Sequence, residues 1–159
     1  MNRALSVCCA AVLVVCPACS DTTSPKIQSP LLGGWITARE DLHPTGSMTR
    51  YISFAEDGTF LFATNMYGIY GGSELASYTR TTGTYRIEGD RLINTATRVA
   101  TWDSFYGAGS PETVQNVNYS FLDQARFRIV GSVLILDYIT YPADAPEPTT
   151  MLLESVRGD

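Results

Sequence analysis

Residues 83–93 read GTYRIEGDRLI. Tyr85 and Ile87 fall on one side of an extended chain, and Thr84, Arg86 and Glu88 fall on the other. Then Glu88-Gly89-Asp90 supplies a turn, and the alternation resumes at Leu92. A helix would space its apolar residues three and four apart; this stretch does not. It predicts a β-hairpin. The same signature recurs in YISFAEDGTFLF (51–62), turning at Asp57-Gly58, and in ARFRIVGSVLILDYITY (125–141), turning at Gly131-Ser132. From Gly33 onward the chain shows no helical period. It breaks into short runs rich in Thr, Tyr, Phe, Ile and Val, punctuated by Gly and Asp. The expected strands are 34–41, 48–55, 59–66, 75–87, 91–101, 114–122, 125–130, 133–140 and 149–156. The fourth should be interrupted near Gly83, as by a bulge. Strands joined by hairpins, without helices, make a sandwich or a barrel. Consecutive pairing favours an all-β, up-and-down antiparallel barrel of about 8–10 strands, which also leaves no open sheet edge.

The totals agree with one such domain. The chain has 159 residues, 45% of them hydrophobic and only 17% charged. Its net charge is −5, and Lys26 is its one lysine. No basic stripe exists to neutralise phosphates, so nucleic acid is excluded as an expected partner.

The first 32 residues differ in kind. Arg3 precedes an apolar run from Ala4 to Cys16, too short to span a bilayer comfortably. All four cysteines, Cys8, Cys9, Cys16 and Cys19, lie within the first nineteen residues. After Cys19, SDTTSPKIQSP reads as a polar tether. A thioredoxin-like Cys-Pro-Ala-Cys should open a helix behind a strand, and a zinc site needs a second ligand pair; neither context is present. Residues 1–19 resemble the bacterial lipoprotein signal, whose lipobox ends Leu-Ala/Ser-Gly/Ala-Cys. Ala18-Cys19 fits, while Cys16 at −3 and Pro17 at −2 depart from the pattern. The resemblance implies a signal peptide over 1–18, lipidation of Cys19, a tether over 19–32, and a membrane partner through that lipid. Ser20 after the cysteine implies outer-membrane sorting in the bacterial cell envelope. The alternative is cleavage to a plain secreted protein.

A second resemblance covers roughly residues 31–157. LLGGWITA, ISFAEDGTF, GTYRIEGDRLI, FRIVGSVLIL and MLLESVR together look like the bacterial lipocalin-like domains of the wider lipocalin superfamily. Gly33-Gly34-Trp35 matches the Gly-x-Trp of the first lipocalin strand. The resemblance implies that residues 33–159 form one barrel, that Trp35 closes its floor, and that Arg157 stacks on the indole. It also implies a binding protein for a small hydrophobic or amphipathic molecule.

Counting strands up and down places the links 55–58, 88–90 and 123–124 at the Trp35 end. Links 42–47, 67–74, 102–113 and 131–132 fall at the other end, with the Pro-rich 142–148 an exception at the floor. Tyr67, Tyr70, Trp102, Phe105 and Tyr106 would then gather on one rim. They could admit an apolar ligand, dock an envelope protein, or fold down and plug the barrel. Alternation gives the inward set as Ile52, Phe54, Phe60, Phe62, Tyr85, Ile87, Leu92, Tyr119, Phe121, Phe127, Ile129, Leu134 and Leu136.

Catalytic signals are missing. The single histidine, His43, precedes Pro44 in a polar link. No Gly-x-Ser-x-Gly elbow occurs, and Glu40 and Asp41 face opposite ways on a strand. Asp57 and Asp90 are accounted for by turns, and Asp137 is expected to point outward, as are Arg126 and Arg128. The sequence therefore reads as a non-enzyme with no catalytic residues, cofactor or metal site. The alternative to a carrier is a structural, assembly or inhibitor protein of the envelope that docks a partner by its open-end loops.

Overall fold

GTYRIEGDRLI forms the tip of a long hairpin. Tyr85 pairs with Asn94, Ile87 with Leu92 and Glu88 with Arg91, which leaves a two-residue turn of Gly89 and Asp90. Gly89 takes φ +65. It is the first of the two central positions, where a side chain would be strained. The computed structural model describes residues 29–42, 46–68, 74–107 and 110–156. Its strands are β1 (Gly33–Ile36), β2 (Glu40–Asp41), β3 (Ser47–Phe54), β4 (Thr59–Tyr67), β5 (Leu75–Glu88), β6 (Arg91–Asp103), β7 (Thr113–Ser120), β8 (Asp123–Val130), β9 (Val133–Thr140) and β10 (Glu147–Ser155).

These strands build an all-β, closed antiparallel barrel. Its eight staves run β1-β10-β9-β8-β6-β5-β4-β3, and β3 returns to β1. Strand β2 continues the first stave along β3, and β7 pairs with β6 beyond β8. The expected first strand is split. Ladder pairs run Trp35 to Ile52 and then Glu40 to Met48, so the first stave carries one extra residue around 37–39. Thr37 fills the break: its N–H donates to the Arg50 carbonyl at 2.8 Å, and its hydroxyl accepts from the Arg50 N–H at 2.9 Å. The irregularity at Gly83 is present as a register shift within a continuous β5, with Thr97 of β6 the extra residue. A Cβ on Gly83 would lie 1.9 Å from the Thr95 carbonyl oxygen, so the bulge requires glycine there.

One expected pairing is wrong. Segments 114–122 and 125–130 do not form a hairpin. Both are antiparallel to β6, so they run in the same direction as one bent stave. The Phe121 N–H donates to the Asn94 carbonyl, and the Phe127 N–H donates to the Asp90 carbonyl. A tight reversal favours Gly or Asn at its centre. The junction offers Leu122, Asp123 and Gln124, and the chain kinks there instead, with Leu122 at φ +51 and Gln124 at φ +54.

That correction reverses the ends of every later link. The turn Gly131-Ser132 belongs to the floor: the Ser132 carbonyl accepts from the Ser155 N–H, and Ser155 pairs with Trp35. The Pro-rich link after Thr140 belongs to the rim. The tight turns 55–58, 89–90 and 131–132 thus lie at one end, and the chain leaves β4, β6 and β9 at the other.

The core sits toward the floor. Trp35, Leu31, Ile52, Phe54, Phe60, Tyr85, Leu92, Leu134, Leu136, Met151 and Leu153 are buried together. Of the expected inward set only Tyr119 departs; it is 45% exposed on β7, beyond the kink, where the stave no longer ladders to β9. Closure is also concentrated at the floor. Strands β1 and β10 share the pairs Trp35–Ser155 and Ile36–Glu154, and β6 and β8 share Arg91–Arg126. Toward the rim no ladder joins β2 to β10, and the partner of β6 passes from β8 to β7, which has no ladder to β9 among the described residues.

Candidate functional site

The expected rim aromatics occupy separate places. Tyr67 ends β4 opposite Ser47. Both residues have the opposite parity to the inward row of Phe60 and Ile52, so Tyr67 stands on the outer wall. The Arg39 guanidinium lies 5.2 Å from its ring centroid, and the Arg39 Nε–H donates to the Ser47 hydroxyl at 2.5 Å. Trp102 pairs with Tyr78 across β5 and β6, and the two rings stack at 5.7 Å and 22°. This pair also faces outward, since Thr81 and Tyr85 mark the inward row of β5. Arg80 sits 4.2 Å from the Tyr78 ring. The Tyr78 hydroxyl donates to Glu112 Oε1 at 2.9 Å, which raises the pKa of the phenol. Phe105 and Tyr106 belong to a 3-10 turn, Ser104–Tyr106, begun by Asp103, whose carboxylate accepts the Phe105 N–H. Phe105 is 69% exposed. A cleft of about 320 Å³ opens beside the Tyr78–Trp102 stack, bordered by Ser110, Pro111 and Thr113. Tyr70, His43, Arg157, Cys19 and residues 1–28 lie outside the described residues.

The polar constellation inside the mouth is a different one, and the sequence reading missed it. Following β3 inward from Phe54 through Ile52 leads to Arg50. Its Nη1–H donates to Glu40 Oε1 at 2.7 Å, with the two side chains 29% and 42% exposed. On β9 the inward row Leu134, Leu136 leads to Tyr138. Burial pushes the Tyr138 phenol above its usual pKa; the nearby Arg50 charge lowers it and Glu40 raises it. Arg50, Glu40 and Tyr138 therefore share one electrostatic environment over the apolar floor. The signal was available in the two-residue period, which carries the inward row straight from Ile52 to Arg50. The bulge before Glu40, which turns that carboxylate toward Arg50, left no mark in the pattern.

At the floor, Trp35 is 5% exposed, and its Nε1–H donates to the Leu31 carbonyl at 2.9 Å. Gly33 opens β1 against Phe54. On the outside, Asp137 accepts from Arg128 at 3.2 Å and from the Thr150 hydroxyl at 2.6 Å, and so points outward as expected. Arg126 reaches Asp90 at 2.9 Å, also outside. Among the described residues no three His, Cys, Asp or Glu side chains cluster as metal ligands. No protein-family model, curated protein or solved structure matches this chain.

Proposed function

We propose that this chain is an envelope-anchored, lipocalin-like protein that binds a small hydrophobic or amphipathic molecule within its barrel. One observation carries the reading. The inward surface changes character along the barrel axis, from a sealed apolar floor around Trp35 to a mouth holding Arg50, Glu40 and Tyr138. An amphipathic guest matches such a gradient, because its apolar body loses water at the floor while polar groups remain near the mouth. The Gly-x-Trp resemblance supports the same reading, with its Trp at the closed end. The lipid on Cys19, facing the periplasm or the cell surface from the outer membrane, is part of the proposal and rests on the signal-like leader. The reading assigns no catalysis and no cofactor.

Native mass spectrometry of the full chain purified from a bacterial envelope tests it. The expected spectrum contains a species heavier by a few hundred daltons that disappears on denaturation. A spectrum of bare protein, with no uptake of added octyl-chain compounds, would overturn the proposal.

A second reading, docking of an envelope protein near the open end, has its own support. Strand β7 reads TVQNVNYS, carries no charge, and among the described residues is laddered only to β6. Such an edge invites an extended segment of a partner. On that reading Val114→Lys, at an exposed edge position, abolishes capture of the partner and leaves ligand uptake unchanged.

A further inference from the structure

Asn94 lies on the inward row of β6 between Leu92 and Ala96, and is 4% exposed. Neither its side-chain nitrogen nor its side-chain oxygen has a hydrogen-bond partner among the described residues. Its ladder neighbour Tyr85 sends its phenol to the Ala55 carbonyl, to which it donates at 2.9 Å, and makes no bond to the Asn94 amide. Around it stands an apolar wall. The Phe121 N–H bonds the Asn94 backbone carbonyl; the Phe121 ring stacks on Phe60 at 5.7 Å and meets Phe62 edge-on at 5.1 Å. A buried amide without partners is strongly unfavourable, and Leu or Val at this position would avoid the penalty. An orphan of this kind calls for an occupant that satisfies it.

We propose that Asn94 is the polar anchor of the guest, and that the guest is an apolar molecule bearing a neutral carboxamide. This deepens the carrier reading above and rests on it. The Asn side chain presents two donors and an acceptor side by side. A carboxamide answers both kinds of atom: its oxygen accepts from Nδ2–H, and its N–H donates to Oδ1. An ester can only accept, which leaves Oδ1 unsatisfied. A carboxylate would face Oδ1 as well as losing its hydration, and the inward neighbours of Asn94 (Tyr85, Leu92 and Ala96) carry no positive charge to offset that cost. At the mouth, Arg50 and Glu40 satisfy each other, so the site as a whole favours a neutral guest.

The test uses the full chain with octanamide, methyl octanoate and octanoate at neutral pH, read by calorimetry and native mass spectrometry. Wild type should bind octanamide about tenfold more tightly than the methyl ester, the worth of one additional buried hydrogen bond. Octanoate should bind more weakly than either. Asn94→Leu should erase the amide preference while its melting temperature stays equal to wild type or rises, because the orphan is gone. Asn94→Ala gives the same binding comparison if the leucine variant does not fold. Equal binding of amide and ester by wild type overturns the anchor but leaves the carrier reading standing. An amide preference that survives in Asn94→Leu also overturns the anchor. No binding of any of the three compounds, with no co-purified guest, overturns both.

Discussion

The floor and the mouth of this barrel are made by the same staves. On β3 the inward row runs Phe54, Ile52, Arg50; on β9 it runs Leu134, Leu136, Tyr138. Leu134 and Leu136 are fully buried, whereas Arg50 keeps 29% of its side chain in water. Four residues of travel along one strand separate a close-packed core from an ion pair. The difference teaches that strand pattern and barrel closure are properties of the floor, while the mouth inherits its geometry and is free to carry other chemistry.

The two tryptophans expose this contrast most directly. Trp35→Ala removes the largest side chain of the floor and leaves the Leu31 carbonyl without its indole donor. The expected loss is about 3–5 kcal/mol. In urea unfolding this appears as a large fall in the midpoint. Trp102→Ala deletes the same chemistry from the outer wall near the rim, where the ring mainly stacks on Tyr78. Its expected cost is about 0.5–1.5 kcal/mol. Equal losses in the two variants would break the distinction between the ends.

Two glycines sharpen it at the next level down. Gly83→Ala forces a Cβ against the Thr95 carbonyl within the bulge, and no flexible side chain stands there to give way. A loss of about 1–3 kcal/mol is expected. Gly131→Ala meets open space, and its strain comes only from φ +60 at the floor turn. It should cost about 1–2 kcal/mol. Thermal melts of both variants check the order. If Gly83→Ala melts like wild type, the close approach of β5 and β6 at the bulge is not real.

How far the sequence carried depends on whether a feature is periodic. Tyr85, Ile87 and Leu92 alternate, and Gly89 marks the reversal, so the hairpin was legible. Trp35 at the closed end was read through a motif rather than through spacing. The kink at Leu122–Gln124 was not legible, because positive φ at Leu and Gln is imposed by the pairing of both flanking segments to β6. Local propensity gave two strands and two directions, where tertiary pairing gave one stave. The misplaced turn at Gly131-Ser132 and the misplaced link at 142–148 followed from that single miscount. Trp102 and Tyr67 were placed at the correct end, but their parity was not followed inward from the core. Asn94 was not legible as a site, because a single Asn between Leu92 and Ala96 in a strand pattern does not reveal that its amide is buried without a partner.

The mouth makes a pH prediction of smaller size. Tyr138 at the mouth and Tyr85 in the floor core have pKa values raised by burial. A raised tyrosine pKa means that the folded protein holds the proton more tightly than the unfolded chain. The associated stability is therefore complete below the unfolded value, about 10, and declines as pH rises from there through the folded value. Melting temperatures measured between pH 9 and 11 should fall with pH. Tyr138→Phe should flatten that fall in part, and Tyr85→Phe should flatten another part. A Tyr138→Phe curve parallel to wild type would place this phenol in open water rather than over the floor.

The smallest expected effect belongs to the outer wall. Arg128 and Asp137 pair at 3.2 Å with 61% and 41% of their side chains exposed. Water and salt screen such a pair, and Asp137 keeps the Thr150 hydroxyl as a second partner. Arg128→Ala should therefore cost about 0.5 kcal/mol or less, and any loss should vanish in high salt. The comparison partner is Arg50→Ala, which leaves Glu40 facing Tyr138 in a half-buried mouth. Its cost should be the larger of the two and should persist at an ionic strength that abolishes the Arg128 effect. If both variants respond to salt alike, Arg50 is a surface residue, and the mouth is continuous with the outer wall instead of with the barrel's interior.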